Sequence, residues 1–376
     1  MMTITTELIH QPRTAPDRLP AGPPTEPLRF NQTVDRAVVH RSAVAEVFLT
    51  DLREIGLTRL LAGAQLPLTH GYYNDHTGRD AVVDPLLLLE CGRQAGICGT
   101  HVLGVPLDRV MLVGEFSLRL ENLAALVVGS RPVELRIDSE FVPTRVRGGR
   151  NATQDALRRL AATGPDRDVR ADIAPRVRKG RTTQRLYVGD VPVARHEMEV
   201  QFLTYPEYGA LRQAQRGSPA PSTADLADPP ADGMVAPARV GRVSPLNVVL
   251  AGPAWAGAGV SARVAPWPAN RALFDHEYDH LPAMTLTEAA RQLALLAAAG
   301  PAAPTVPAGL RVCGLTARYL RFAELDQPVR ATAELPAGRF AGVAVGTIRV
   351  TFTQQDTVIA ETTVELTRDV AGEDRT

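Results

Sequence analysis

The residues best suited to chemistry occur in two copies of a Glu-x-x-Arg-Gln motif. They are Glu90, Arg93 and Gln94 in the first copy and Glu288, Arg291 and Gln292 in the second. Helical residues three and four positions apart lie on one face, so each motif should direct its polar groups to one side of a helix. A carboxylate in an apolar setting can serve as a general acid or base. The alternative interpretation is an intrahelical Glu–Arg pair that satisfies itself.

An Asp-His pair precedes each motif. His76 lies 14 residues before Glu90, and His276 lies 12 residues before Glu288. An imidazole titrates near neutral pH, so both histidines are candidate catalytic groups, although a lone histidine is commonly structural. His280 competes with His276 for the same role. The start of each helix would also offer unpaired N–H groups to an oxyanion or a phosphate.

The segments that carry the motifs have the composition of buried helices. Pro85 to about His101 is apolar, and Met284 to Ala299 is rich in Ala and Leu and ends before Gly300-Pro301. Alternating or β-branched runs follow each segment, which is typical of antiparallel strands joined by short turns. A buried helix with a strand meander, present twice, predicts an α+β protein. Its architecture would be two tandem hot-dog domains, each a sheet wrapped around a central helix, paired as a pseudo-dimer.

An internal repeat divides the chain. The segment starting at Val39-His-Arg aligns without gaps on Val240-Gly-Arg, and both Glu motifs follow at near-equal spacing. The predicted organisation is a disordered leader (1–30), an N-terminal domain (31–211) with an insertion (144–183), a linker (212–238) and a C-terminal domain (239–370). The insertion holds a basic run from Arg167 to Arg181, which is either a docking surface for an acidic protein or a solvated loop.

Composition excludes several classes of function. Lys plus Arg and Asp plus Glu number 41 each, so no overall field favours nucleic acid or an anionic membrane. The three cysteines lack the spacing of a zinc site, and Cys91 is expected to be a small core residue. Nucleotide-binding glycine motifs and a Gly-x-Ser-x-Gly elbow are absent from the sequence. We therefore expect a cytoplasmic protein without metal or other cofactor, as a monomer or homodimer.

Two family resemblances follow from these motifs. His76, Gly78, Glu90 and Gln94 resemble the pattern of β-hydroxyacyl-carrier-protein dehydratases, but Thr77 directly precedes Gly78 where that family has Phe-Pro. The whole chain is similar to the A-factor biosynthesis family of tandem hot-dog proteins. The matching blocks are Val39-His-Arg, Val47-Phe-Leu-Thr-Asp, His70-Gly-Tyr-Tyr-Asn-Asp-His, Asp84-Pro-Leu-Leu-Leu-Leu-Glu-Cys-Gly-Arg-Gln-Ala-Gly, Phe202-Leu-Thr and Glu288-Ala-Ala-Arg-Gln.

The second resemblance implies an acyltransferase. Such a protein would move a β-ketoacyl group from acyl carrier protein to the hydroxyl of dihydroxyacetone phosphate, towards γ-butyrolactone or furan signals. The motif positions carried over are Glu90, Glu288, Arg291, His76 and Arg93. We expect Glu90 or Glu288 to act as the base and Arg291 to bind the phosphate.

Two other functions stay open. A hot-dog thioesterase or dehydratase would use the same carboxylate without a phosphorylated acceptor. A non-catalytic acyl-ligand sensor would tolerate the loss of both glutamates.

Overall fold

Twelve antiparallel strands form one continuous sheet in the computed structural model, which describes residues 27–76, 82–162, 167–257, 259–334 and 345–368. The first half contributes β1 (Leu49–Glu54), β2 (Arg59–Leu66), β3 (Val110–Leu120), β4 (Val133–Val146), β5 (Val177–Val188) and β6 (Val191–Leu203). The second contributes β7 (Leu250–Ala256), β8 (Gly259–Val264), β9 (Leu310–Tyr319), β10 (Arg330–Glu334), β11 (Val345–Gln354) and β12 (Thr357–Arg368).

The strand order shows the repeat directly. It runs β1-β2-β4-β5-β6-β3 and then β9-β12-β11-β10-β8-β7, so the second half repeats the order of the first in reverse. β3 and β9 pair antiparallel at the centre, with Ser117 opposite Thr316. The two halves are thus related by a pseudo-two-fold axis at this seam, and the tandem hot-dog prediction is confirmed.

Each half packs one long helix against its strands. In α1 (Pro85–Val102) every residue from Leu86 to His101 is buried except Arg93, and in α5 (Ala283–Ala299) every residue from Thr285 to Ala297 is buried. A helix that is apolar on all sides must be enclosed by protein, which explains why both lie between sheet and loops. α5 ends at Gly300, whose φ of 92° suits a residue without a Cβ.

Residues at the predicted leader and linker boundaries contact the rest of the fold. Arg29 N–H donates to Asp51, and Gln65 donates to the Phe30 carbonyl, so residues 27–30 lie along β1 and β2. At the other boundary, α4 (Tyr205–Arg216) runs through residue 212. The Pro-rich composition beyond α4 suggested a linker, but polar side chains fasten that helix to the second half.

Arg212 is the main anchor of α4. Its buried guanidinium donates to Asp279 at 2.8 Å and to both oxygens of Glu324 at 2.8 Å. Beyond the helix, Thr223 N–H donates to the Tyr278 carbonyl. Much of the predicted linker is therefore packed against the C-terminal half.

The region of the predicted insertion contains two strand ends and two helices. β4 continues to Val146 and β5 begins at Val177, so the inserted part comprises α2 (Gly149–Ala162), α3 (Arg167–Ile173) and the turns around them. The basic residues that follow lie on β5 and are paired: Arg178 with Glu207, Lys179 with Glu199 and Arg181 with Glu115. These partners neutralise much of the basic run, because cross-strand and adjacent carboxylates approach it.

Gly92 lets α1 approach the sheet closely. A Cβ there would lie 2.5 Å from His196 Nδ1 and 2.7 Å from Gln184 Oε1. Gly92→Ala should therefore lower the free energy of unfolding by about 1 to 3 kcal/mol, because α1 or the two side chains must shift. Urea denaturation measures this, with exposed Gly129→Ala as the control, since its Cβ would meet nothing within 4 Å. Equal stability of the two variants would contradict this packing.

Candidate active site

The first polar cluster surrounds Glu90, which lies on α1. We call it the Glu90 cluster, and it comprises Glu90, Arg93, Gln94, Arg41 and Asp275. Arg93 donates from Nε to Glu90 Oε2 at 2.7 Å and from Nη2 to Oε1 at 2.9 Å. Arg41 Nη2 lies 2.6 Å from Glu90 Oε1, and Arg41 Nη1 lies 3.2 Å from Asp275 of the second half. Glu90 is fully buried, so its charge is stabilised by these guanidiniums.

The second cluster repeats this arrangement around Glu288 on α5. We call it the Glu288 cluster, and it comprises Glu288, Arg291, Gln292, Arg242, Asp84 and Tyr72. Arg291 donates from Nε to Oε2 at 2.9 Å and from Nη2 to Oε1 at 2.8 Å. Arg242 Nε donates to Oε1 at 3.0 Å. The Tyr72 hydroxyl from the first half donates to Oε2 at 3.0 Å.

The intrahelical Glu–Arg pair expected as the alternative interpretation thus forms in both helices. Its presence does not exclude chemistry at the carboxylate. It does occupy the guanidinium of Arg291 that was expected to bind the phosphate. Nε and Nη2 of Arg291 donate to Glu288, and Nη1 lies 3.4 Å from Asp84. All three nitrogens of this guanidinium have carboxylate partners.

Sequence reasoning missed Arg41 and Arg242 as members of the site. Arg41 side-chain exposure is 6%, and that of Arg242 is 0%. The two occupy equivalent positions in the gap-free repeat that begins at Val39 and Val240. An arginine shared by two otherwise apolar segments was the available signal, because a buried guanidinium requires a buried carboxylate nearby.

The two glutamines fasten the helices to the chain that enters the sheet. Gln94 Nε2 donates to Glu90 Oε1 and to the Glu46 carbonyl, both at 2.7 Å, while its Oε1 accepts from Phe48 N–H at 3.0 Å. Gln292 makes the same three contacts, with Glu288, the Asn247 carbonyl and Val249 N–H. The oxygen and the nitrogen of both amides therefore have protein partners, so these two side chains hold the glutamates and the helices in position.

The structure exchanges the two candidate histidines between the halves. His276 Nδ1 lies 2.8 Å from Asp275, which contacts Arg41, so His276 stands beside the Glu90 cluster. Burial lowers the pKa of His76, with Asp84 opposing and Arg242 and Arg291 adding to the effect. His76 therefore stands beside the Glu288 cluster.

The remaining candidates have other surroundings. His280 is held by Asp279 at 2.6 Å and packs on the Phe322 ring, near the anchor of α4. Gly78 lies outside the described residues. Burial raises the pKa of the Cys91 thiol well above its ordinary value, which suits the expected inert core residue.

The electrostatics keep both glutamates ionised. Burial opposes the charge of Glu90, but Arg41 and Arg93 outweigh it and lower the pKa from 4.5 to about 2. The same balance, with Arg242 and Arg291, lowers the pKa of Glu288. An ionised carboxylate can accept a proton, but so low a pKa makes it a weak base in the resting protein.

This depressed pKa predicts sensitivity to acid. At pH values above its ordinary pKa of 4.5, the ionised Glu90 contributes its full stabilisation to the fold. This stabilisation is lost as the pH falls towards the lowered pKa of about 2. The free energy of unfolding should therefore decrease steadily between pH 5 and pH 3, as measured by urea denaturation, with a shallower decrease in Glu90→Gln. Identical pH dependences of the two proteins would show that Glu90 is not held ionised by its neighbours.

The described residues also bear on cofactors and membranes. Within those ranges, no group of three or more His, Cys, Asp or Glu side chains could hold a metal ion. None of the helices found there combines the length and the apolar character needed to cross a membrane.

Comparisons with known proteins place the chain in a family. The A-factor biosynthesis hotdog domain matches twice, over residues 24–163 and 223–368. A 2-oxo-3-(phosphooxy)propyl 3-oxoalkanoate synthase of Streptomyces virginiae is 32% identical over 88% of this chain and 96% of its own length. A protein of the same name from Streptomyces coelicolor is 30% identical over 88% of this chain and 90% of its own length. Another from Streptomyces griseus is 28% identical over 86% of this chain and 92% of its own length. The chain therefore belongs to the A-factor biosynthesis hotdog family.

Proposed function

We propose that this protein is an acyltransferase that joins a β-ketoacyl group to the hydroxyl of dihydroxyacetone phosphate. The three relatives are named for a product that combines a 3-oxoalkanoate with a phosphooxy-oxopropyl group. The β-ketoacyl group would come from its thioester with acyl carrier protein. The reaction would take place in the cytoplasm. The product would feed the synthesis of a butyrolactone or furan signal.

The observation that carries the proposal is an ionised, buried carboxylate beside a guanidinium in each half. An ester-forming transfer needs a base for the acceptor hydroxyl and a cation for the phosphate, and each cluster holds both types of group. Glu90 or Glu288 would take the proton. The hydroxyl oxygen would then attack the thioester carbonyl, the C–S bond would break, and the thiolate would leave with the proton from the carboxyl group.

Mass spectrometry of a reconstituted reaction tests the proposal. The purified protein is mixed with a β-ketoacyl thioester of N-acetylcysteamine or carrier protein, with and without dihydroxyacetone phosphate. We expect a phosphorylated ester that forms only when the acceptor is present, together with stoichiometric free thiol.

Other products would identify the alternative functions. Free β-keto acid at the same rate with and without acceptor would establish a thioesterase, and an enoyl product from a β-hydroxyacyl thioester would establish a dehydratase. Binding of the thioester without turnover would favour a sensor. Any of these results in place of the ester would overturn the transferase.

A further inference from the structure

The two clusters are related by the repeat, but they differ in how completely their polar atoms are paired. Tyr72 stands three residues before Asp75, and its hydroxyl donates to Glu288 Oε2. The equivalent residue, three before Asp275, is Ala272. An alanine has no group to donate, so Glu90 Oε2 accepts only from Arg93 Nε among the described residues.

A second difference affects the arginine of each motif. Asp84, six residues before Glu90, lies 3.4 Å from Arg291 Nη1. Pro282 is the equivalent residue, six before Glu288, and it supplies no carboxylate. Arg93 Nη1 consequently has no partner among the described residues, and 24% of the Arg93 side chain is exposed, against 7% for Arg291.

A third difference concerns the helix starts. Asp84 caps α1, accepting from Leu86 N–H at 2.8 Å, whereas no side chain caps α5, which follows Pro282. By the pseudo-symmetry, the start of α5 faces the Glu90 cluster as Asp84 faces the Glu288 cluster. The free N–H groups at this end would stabilise negative charge on an oxygen.

We infer that the Glu90 cluster alone is the working site and that Arg93 and His276 bind the phosphate of the acceptor there. This inference rests on the proposed function. His276 is 43% exposed, and Asp275 binds its Nδ1 at 2.8 Å, so Nε2 is the ring nitrogen that this pair does not use. Burial raises the pKa of Asp275, but the hydrogen bond from His276 and the charges of Arg41 and Arg93 outweigh it, so Arg93 and His276 both lie near this carboxylate. A phosphate dianion suits an unpaired guanidinium edge and an imidazole that share this position. The Glu288 cluster, in which Glu288 and Arg291 are fully paired, then holds the two halves together.

Phosphate binding would also activate Glu90. The carboxylate is a weak base because Arg41 and Arg93 lower its pKa. A phosphate on Arg93 adds negative charge close to Glu90 and offsets part of the attraction to that guanidinium, which raises the affinity of the carboxylate for a proton. The acceptor would thereby strengthen the base that deprotonates its own hydroxyl at Oε2.

Kinetics with two acceptors test the assignment. In Arg93→Met, KM for dihydroxyacetone phosphate should rise about 10- to 100-fold, the loss expected for charge-assisted hydrogen bonds. KM for the β-ketoacyl thioester should stay within about threefold. The preference for dihydroxyacetone phosphate over unphosphorylated dihydroxyacetone should collapse in this variant.

Three further variants keep the test decisive if Arg93→Met is poorly folded. Arg93→Lys should restore part of the preference, and His276→Gln should weaken phosphate binding, measured by calorimetry with dihydroxyacetone phosphate and with inorganic phosphate. Arg195→Met is the matched control, because it removes a 63% exposed arginine on β6 outside both clusters. Unchanged acceptor KM in both Arg93 variants, with transfer intact, would overturn this inference and leave the transferase standing. If wild-type protein forms no ester at all, the proposed function itself fails.

Discussion

Glu90→Gln is expected to slow ester formation about 100- to 10,000-fold per folded molecule, the usual contribution of a general base. The amide keeps the shape of the side chain and can still accept from Arg93, but it cannot take a proton from the acceptor hydroxyl. Fold should be largely retained, because Asp275 still balances Arg41 and Arg93 reaches solvent. The measurement is the rate of ester formation, normalised to the folded fraction from circular dichroism.

Glu288→Gln is the matched comparison for this prediction. It places the same amide against Arg242 and Arg291, which are both buried, so its main effect should be on stability. We expect its transfer rate per folded molecule to stay within about tenfold of wild type, since no base is removed. A loss confined to Glu288→Gln, with Glu90→Gln active, would assign the chemistry to the other half.

Arg242→Ala should cause the largest loss of stability, about 3 to 5 kcal/mol, as expected for breaking a buried ion pair. Arg242 has no exposed surface, contacts Glu288 at 3.0 Å and donates to the Tyr72 and Asp75 carbonyls of the other half at 2.5 and 3.1 Å. Its removal leaves Glu288 under-compensated and frees two carbonyls across the interface. Urea denaturation gives the change in free energy of unfolding.

Arg41→Ala is the control for Arg242→Ala. Arg41 contacts both Glu90 and Asp275, but each carboxylate keeps other partners. Glu90 keeps Arg93 and Gln94, and Asp275 keeps His276 and the Tyr278 hydroxyl. The loss of stability should be clearly smaller. If both variants lose the same free energy, the two clusters are equally structural and the asymmetry between them has no energetic consequence.

The sequence by itself determined the repeated elements and their residues. Two apolar stretches of helical length, each with Glu-x-x-Arg-Gln, predicted α1 and α5 nearly to the residue. Alternating or β-branched runs predicted antiparallel strands after each helix, and β9 (Leu310–Tyr319) is one of them. The expected short turns are also present, since Gln355 and Asp356 have the positive φ values of a tight hairpin. These features depend on local periodicity and turn chemistry, so they can be derived from neighbouring residues alone.

Only the tertiary structure decided how the two halves share their sites. Asp275 and His276 precede Glu288 in the sequence, but they lie beside Glu90 of the other half. In the same way, Tyr72 precedes Glu90 in the sequence but donates to Glu288. Spacing along the chain cannot show this exchange, because it arises from the pseudo-two-fold packing of β3 against β9. For the same reason, the sequence could not show that Arg291 pairs with a carboxylate of the other half whereas Arg93, among the described residues, does not.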